Sequence, residues 1–423
     1  MRLPFFYGWI IVAAGFVTMA VGVNARTAFS LLFPPIIEEH GWPRAATAGA
    51  FSFGFLISAV LGPFLGKLMD RWGPRTVIGL GVGTMGGGML LASLSSQPWH
   101  LYATLGVLVG SGSVCLGYTG QGLFVPNWFA RRRGLATAIT YSGVGVGSIL
   151  LLPAVQAIIE RAGWRTACVA VGVLILVLLT PLCFLLRKTP QEIGLQPDGD
   201  AAPGSGAPAR PALRVVDEAW AAVDWTLAGA ARTARFWWIA TGFFTGMFAW
   251  YAVQVHQTKY LTEIGFSGQY AAWALGFVSL AGIPGQIALG HLSDRIGREW
   301  VWTIGQVGFA VSYTALLLLL EFPSAALLWI MVVSQGLLGY GVTSVISALV
   351  AEIFQGRHYG VIFGTLMGIG VAGGAVGPWV TGLAYDLAGS YAPGFSIALA
   401  CTFLSAISIW LAGPRTVRAV AAR

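Results

Sequence analysis

GKLMDRWGPR, residues 66–75, returns 224 positions later as GHLSDRIGRE, residues 290–299. Both copies read G-x-L-x-D-R-x-G, and each lies between two long apolar runs. Runs able to cross a bilayer core need about 17–25 residues, more if tilted. They fall at approximately 8–33, 45–66, 76–96, 100–123, 134–157, 166–186, 237–260, 269–290, 301–320, 324–350, 360–384 and 393–412. The motif thus separates the second run from the third and the eighth from the ninth. A weaker echo, Phe129-x-x-Arg132 and Phe354-x-x-Arg357, follows the fourth and tenth runs at a displacement of 225. The expected fold is an all-α integral membrane protein with twelve transmembrane helices in two six-helix pseudo-repeats. A barrel is excluded because the runs are long and do not alternate.

Composition agrees. Hydrophobic residues make up 56% of the chain and charged ones only 9%, against about 25% charged in soluble domains. The net charge of +8 could suggest nucleic acid; its distribution argues against that. With the N-terminus placed in the cytoplasm, every Lys and Arg except Arg26, Arg44, Arg161, Arg165 and Lys259 falls on that side, Arg2, Arg210 and Arg423 included. This is the positive-inside pattern, and it predicts a multi-pass protein of the cell (inner) membrane with both termini cytoplasmic. The first apolar run is too long for a cleavable signal and no cleavage site follows it. Cys115, Cys168, Cys183 and Cys401 fall inside predicted helices without ligand spacing, so neither a metal nor a disulfide is expected.

The longest polar segment centres on PDGDAAPGSGAPARPA, the composition of a flexible linker. The expected organisation is a six-helix bundle over 1–187, a cytoplasmic linker over 188–235 and a second bundle over 236–423. Late in the linker, VDWTLAGAARTARFWW reads as a short amphipathic surface strut, with Trp225, Leu227, Ala228 and Ala231 toward the membrane and Arg232 and Arg235 toward headgroups. Gly79, Gly83 and Gly87, and again Gly143 and Gly147, have the G-x-x-x-G spacing that permits close helix approach. GVGTMG at 81–86 and GIGVAG at 368–373 match a dinucleotide fingerprint formally, but no strand precedes them and they lie in apolar spans. No catalytic centre and no cofactor are expected.

On these motifs the chain resembles the major facilitator superfamily along nearly its whole length. FFYGWIIV at 5–12, NWFARRRGLATAITYSG at 127–143, TPQEIGLQPDG at 189–199 and GLAYDLAGSY at 382–391 look like its monocarboxylate porter and oxalate/formate antiporter branch. The resemblance implies alternating access by rocking of two halves, usually with small organic anions. It also pairs the seventh helix with the first. One departure is Gln286: where that branch commonly has Gly-Arg, this chain has Gly285-Gln286. A glutamine can donate to a carboxylate oxygen but carries no charge, which weakens a dicarboxylate reading.

Arg26 is the residue that most needs a reason. It sits in an apolar run, where a guanidinium is unfavourable by about 3 kcal/mol or more unless it faces a bundle interior or watery cavity. No acid falls mid-helix to neutralise it, so the expectation is that a transported anion does. Asn24, Tyr118, Gln121, Tyr141, Trp250, Gln254, His256, Gln286 and Tyr340 are the polar and aromatic groups that could complete such a site, with Ser344 and a Trp273 wall beside them. His256 lies 20 residues past Phe236 as Arg26 lies 20 past Phe6, and it could carry a coupled proton. In the repeated loops, Asp70 with Arg71 and Arg75, and Asp294 with Arg295 and Arg298, are expected to form a gating latch.

The expected function is secondary active transport of a small organic anion, a monocarboxylate first, with a coupled proton or an exchanged anion. The alternatives are a carrier of a neutral or weakly acidic solute and a non-transporting membrane sensor on the same fold. The expected partners are that solute and the lipid bilayer.

Overall fold

The computed structural model describes residues 6–42, 44–199 and 213–420. Arg2, Arg210, Arg423 and the Pro/Gly/Ala-rich centre of the linker lie outside the described residues. Those described form twelve helical passages. In chain order they are α1 (Gly8–Thr27 continued by Phe29–His40), α2 and α3 (one stretch, Arg44–Ala92, turned at Gly73), and α4 (Pro98–Trp128). α5 and α6 (Arg133–Cys183, turned at Gly163) and α7 (Ala234–Gln254, continued by Gln257–Glu263) follow. The last five are α8 (Gly268–Ile296), α9 (Arg298–Leu318), α10 (Ala325–Ile353), α11 (Tyr359–Ala388) and α12 (Ala392–Ala412). Leu150, Val177 and Leu387 are 68%, 70% and 81% exposed; large side chains left open in this way suit a surface facing hydrocarbon rather than water.

The apolar pattern set the number of helices but not their ends. GKLMDRWGPR is helical up to Trp72, and a single glycine makes the turn. Gly73, Gly163 and Gly297 have φ of 73°, 82° and 100° with ψ of 172°, 165° and 163°. Only glycine enters that region without strain. This accounts for the last glycine of the repeated motif. Hydropathy ends a span where polar residues begin, whereas the backbone stays helical to the turn.

The described residues pack as two compact bodies. One is drawn from Met1–Ala130, Ile139–Arg210 and Tyr359–Thr365, the other from Arg131–Ala138, Pro211–His358 and Leu366–Arg423. In the first, Gly143 and Gly147 of α5 press on the carbonyls of Phe16 and Ala20 in α1. In the second, Gly373 and Gly377 of α11 press likewise on Phe244 and Phe248 in α7. A methyl at any of these four would collide with backbone, so the contact repeats as the sequence does.

The other expected glycine ladder is corrected. A Cβ on Gly79, Gly83 or Gly87 would meet nothing within 4 Å. The α3 glycines that pack are Gly81 against Cys115, Gly86 against Leu176 and Gly88 against Leu108. Spacing identifies a smooth face, not which neighbour it turns toward. The formal dinucleotide matches lie within helices, GVGTMG in α3 and GIGVAG in α11.

The linker strut is corrected too. Its helix is only Leu227–Ala231, and Trp225 turns inward, 4.4 Å from Trp220 and 5.6 Å from Phe354. Arg235 lies over the Trp220 ring at 4.3 Å. Aromatic stacking on the end of α10 outcompetes a membrane-facing pose. Beside it, β1 (Leu213–Val215) pairs antiparallel with β2 (Arg418–Val420).

Candidate functional site

In the first body, α1 breaks at Ala28, two residues past Arg26. The Arg26 guanidinium carbon sits 3.5 Å from the Phe55 ring centroid and 5.5 Å from that of Phe51. Nη1 donates to Ser113 Oγ at 3.3 Å. Ser113 is itself tied to the Gly110 carbonyl at 2.8 Å and lies 3.4 Å from Ser58. The cleft around Arg26 is lined by Phe29, Leu32, Phe51, Met89 and Leu105 and holds about one water. Ring faces and a hydroxyl, rather than a carboxylate, therefore make up the described contacts of this cation. Phe51 and Phe55 stand one helical turn apart, an aromatic spacing visible in the sequence.

Asn24 points elsewhere. Its Nδ2 donates to the Ala20 and Val144 carbonyls at 2.8 and 2.9 Å, and its Oδ1 accepts from Ser148 at 2.8 Å. These bonds bind α1 to α5. Tyr118 and Tyr141 form a separate cluster, edge to face at 4.9 Å, with the Tyr141 hydroxyl donating to the Tyr118 carbonyl at 3.0 Å. Gln121 is fully buried beside them, and its Oε1 has no hydrogen-bond partner among the described residues. α4 is broken here: Gly117 is extended between Gly110–Leu116 and Tyr118–Gly122.

In the second body, Trp250 Nε1 donates to Gln254 Oε1 at 2.8 Å, and Gln254 Nε2 donates to the Tyr340 hydroxyl at 3.4 Å. The Trp250 and Tyr340 rings lie 4.7 Å apart, with Phe309 5.4 Å from Trp250. Tyr340 follows a π-helical stretch, Ser334–Leu338, where α10 tightens into 3₁₀ turns over Gly339–Ser344; such irregular turns concentrate at functional sites. Ser344 is spent on the Gly341 carbonyl at 2.7 Å. His256 lies in the break of α7, with Nε2 3.0 Å from the Pro378 carbonyl. Gln286 is buried, and its Oε1 is unpaired among the described residues. Trp273 is 60% exposed beside Phe277 and so is no wall of this cluster. Lys259, exposed, pairs with Glu263 at 3.8 Å.

Each motif aspartate finds partners beyond its own loop, and Asp294 also keeps the expected Arg298. Asp70 Oδ1 is 3.4 Å from Lys188 Nζ, which also donates to the Asp70 carbonyl at 2.9 Å. Arg71 is exposed, and Arg75 lies over the Phe184 ring at 4.7 Å. Asp294 accepts the backbone N–H groups of Gly134 and Leu135, at the start of α5, at 2.9 and 3.0 Å. It also accepts Arg298 at 2.6 Å, and Arg298 Nε donates to Glu352 at 2.8 Å; Arg295 is exposed. A carboxylate on the free N–H groups of a helix start is favourable both as hydrogen bonds and against the helix dipole. The motif's first glycines lie at the same crossings: a Cβ on Gly66 would strike Gly360, and one on Gly290 would strike Gly134. Lys188 was legible only as one cytoplasmic charge among many, because tertiary pairing leaves no local pattern.

Duplicated helical halves, apolar outer surfaces and polar clusters on broken helices define a multi-pass membrane protein built to hold a solute. The chain belongs to the Major Facilitator Superfamily, whose model matches residues 12–268 and 258–422. It is 26% identical to Monocarboxylate transporter 13 of Rattus norvegicus, over 93% of this chain and 86% of the relative. To Monocarboxylate transporter 11 of Mus musculus it is 25% identical, over 97% and 88%. To the uncharacterized MFS-type transporter YhjX of Escherichia coli (strain K12) it is 28% identical, over 76% and 75%. Among solved structures, the MFS transporter FucP in the outward conformation matches with a TM-score of 0.68 at 16% identity, covering 96% of this chain and 98% of that one. The human organic anion transporter MFSD10 (TETRAN) matches at 0.70 and 17%, covering 96% and 100%. The twelve-helix fold is shared, the relatives are transporters rather than enzymes, and the chain is a membrane transporter.

Proposed function

We propose that the protein is a secondary active transporter of a small organic anion, a monocarboxylate first, working by alternating access with its motif loops and both termini toward the cytoplasm of the inner membrane. The observation that carries the reading is the repeat of broken helices. α1 breaks at Ala28 and α7 at Val255 and His256, 227 residues on; α4 and α10 are irregular beside Tyr118 and Tyr340. Interrupted helices in corresponding places of two repeats mark solute sites in transporters. On them stand Arg26, Tyr118, Trp250, Gln254, His256 and Tyr340. Arg26 supplies the cation, a planar fork suited to a carboxylate and set against the Phe55 and Phe51 rings. The relatives named monocarboxylate transporters support the same class. Gln286, with a buried unpaired acceptor, favours a second reading in which the solute carries a hydroxyl or is neutral.

Purified protein in proteoliposomes, loaded with labelled monocarboxylates, dicarboxylates and neutral analogues, tests both. Uptake of a monocarboxylate against its gradient, lost in Arg26→Gln, is expected. Binding that shifts melting without any uptake would leave the sensor reading instead. Uptake confined to neutral solutes would favour the second.

A further inference from the structure

The polar atoms of the second body's cluster are bonded to one another. Trp250 gives its indole N–H to Gln254, Gln254 gives its amide N–H to the Tyr340 hydroxyl, and Ser279 on α8 bonds that hydroxyl as well. A solute hydroxyl enters this chain only by breaking a bond already made. What the cluster still presents is ring surface. The half-buried Trp250 ring has Tyr340 at 4.7 Å, Phe309 at 5.4 Å and Tyr251 at 6.3 Å between centroids, within the spacing of about 4.5–7 Å at which aromatic rings attract. Fully buried Phe309 backs the indole, and the bond from Trp250 to Gln254 fixes its rotation.

The surroundings of Arg26 in the first body have the same character. Phe51 and Phe55 flank its guanidinium, and Phe51 stacks on Phe29 with centroids 5.2 Å and planes 13° apart. Leu32, Met89 and Leu105 complete that lining. A small, strongly hydrated acid gives up its water here with no apolar surface to bury in return. An acid that carries a ring offsets the same loss by burying the ring.

We propose that the solute is an aromatic monocarboxylate and that its ring docks on Trp250 of the second body. The inference rests on the anion-transport reading for the carboxylate and on the Trp250 cluster for the ring. Trp250 is the residue that selects the solute; Gln254 and Tyr340 position its indole. Apolar burial alone does not tell a flat ring from a saturated one of the same size, whereas offset or edge-on contact with an indole does. The cluster therefore favours benzoate over both a saturated ring acid and a short aliphatic acid.

Calorimetric titration of the full-length purified protein with acetate, cyclohexanecarboxylate, benzoate and neutral benzamide tests this. At about pH 7 all three acids are ionised, so charge is constant across them. Benzoate is expected to bind about 2- to 12-fold more tightly than cyclohexanecarboxylate, the range that a ring contact supplies beyond burial, with acetate weakest. Trp250→Leu should close the gap between the two ring acids, and Trp250→Phe, which keeps a ring and loses the N–H, should retain it. Cyclohexanecarboxylate or acetate binding the parent as tightly as benzoate, or a gap that survives Trp250→Leu, overturns the proposal. If Trp250→Leu does not fold, the parent series decides alone. Benzamide separates this inference from the reading beneath it: benzamide bound and every acid refused would overturn the anion and leave ring docking on Trp250. Acetate bound as tightly as benzoate would leave the anion and overturn the ring, and no binding of any of the four overturns both.

Discussion

Arg26 carries its guanidinium 3.5 Å above the centre of Phe55, within the same body and without a carboxylate among its described contacts. A ring face compensates a cation in part, by about 0.5–2 kcal/mol depending on desolvation. Arg26→Lys keeps the charge and loses the fork, so affinity for a carboxylate should fall by about 1–2 kcal/mol; Arg26→Gln should lose about 1.5–3 kcal/mol. Esterifying the substrate should weaken binding to the parent and hardly affect the Gln variant. Calorimetric titration of the four combinations measures the coupling. Equal binding of acid by parent and Gln variant would remove Arg26 from the site.

Tyr340→Phe isolates the second cluster. The change keeps the ring against Trp250 but strips the acceptor from Gln254 Nε2, which donates to it at 3.4 Å. Losing a hydrogen bond at this part-buried amide costs about 1 kcal/mol. If the hydroxyl is structural, melting temperature falls with ligand affinity unchanged; if it contacts solute, affinity falls beyond what stability explains. Ligand-dependent melting curves separate the two, and no change in either would show the hydroxyl to be idle.

The buried triad gives the largest expected stability effect. Arg298→Met leaves Asp294 and Glu352 inside without their cation, a loss of about 3–5 kcal/mol. Adding Glu352→Gln to it should recover part of that loss, because one stranded charge is then gone. Thermal unfolding in one detergent reads both variants. A single variant within about 0.5 kcal/mol of the parent would refute a structural role for the triad.

At the opposite end of α1, the Arg165 hydrogen bond, followed by that of the Trp164 indole, holds the Glu39 carboxyl below its ordinary value of 4.5. A group depressed on folding stabilises above its unfolded value, and that contribution disappears as pH falls through the folded one. Stability should therefore drop below pH 4.5. Glu39→Gln should flatten that part of the profile and leave the neutral region nearly unchanged. The pair is exposed, so the effect is modest and shrinks in salt. Melting curves across the acid range, at low and high salt, check it; an identical acid limb in the Gln variant would exclude Glu39 as its source.

What could be read from the chain divides along a physical line. Helix number, duplication and the matched places of Asp70 and Asp294 follow from periodicity and repetition, which are local. So does the close approach at Gly143 and Gly147. Partner identity is not local. Lys188 reaches Asp70 across 118 residues, and Glu352 reaches Arg298 across 54. Arg71, Arg75 and Arg295 looked like natural partners because they were adjacent, yet adjacent helical residues point apart. His256 and Arg26 were matched by counting from Phe236 and Phe6, and both do flank a helix break. Trp273 was misassigned because a tryptophan near a predicted site looks the same whether it turns inward or to lipid.

The one-residue turns at Gly73, Gly163 and Gly297 leave no slack between the helices they join. A pair linked by three or more residues can slide in register by absorbing the shift in its loop; these hairpins cannot, since a single residue has two soft torsions and both are already committed. α2 with α3, α5 with α6 and α8 with α9 must each travel as one stiff staple. Any axial displacement delivered to one leg arrives undiminished at the other, so a pull on the Asp70 leg becomes a push along α3 all the way to its far end.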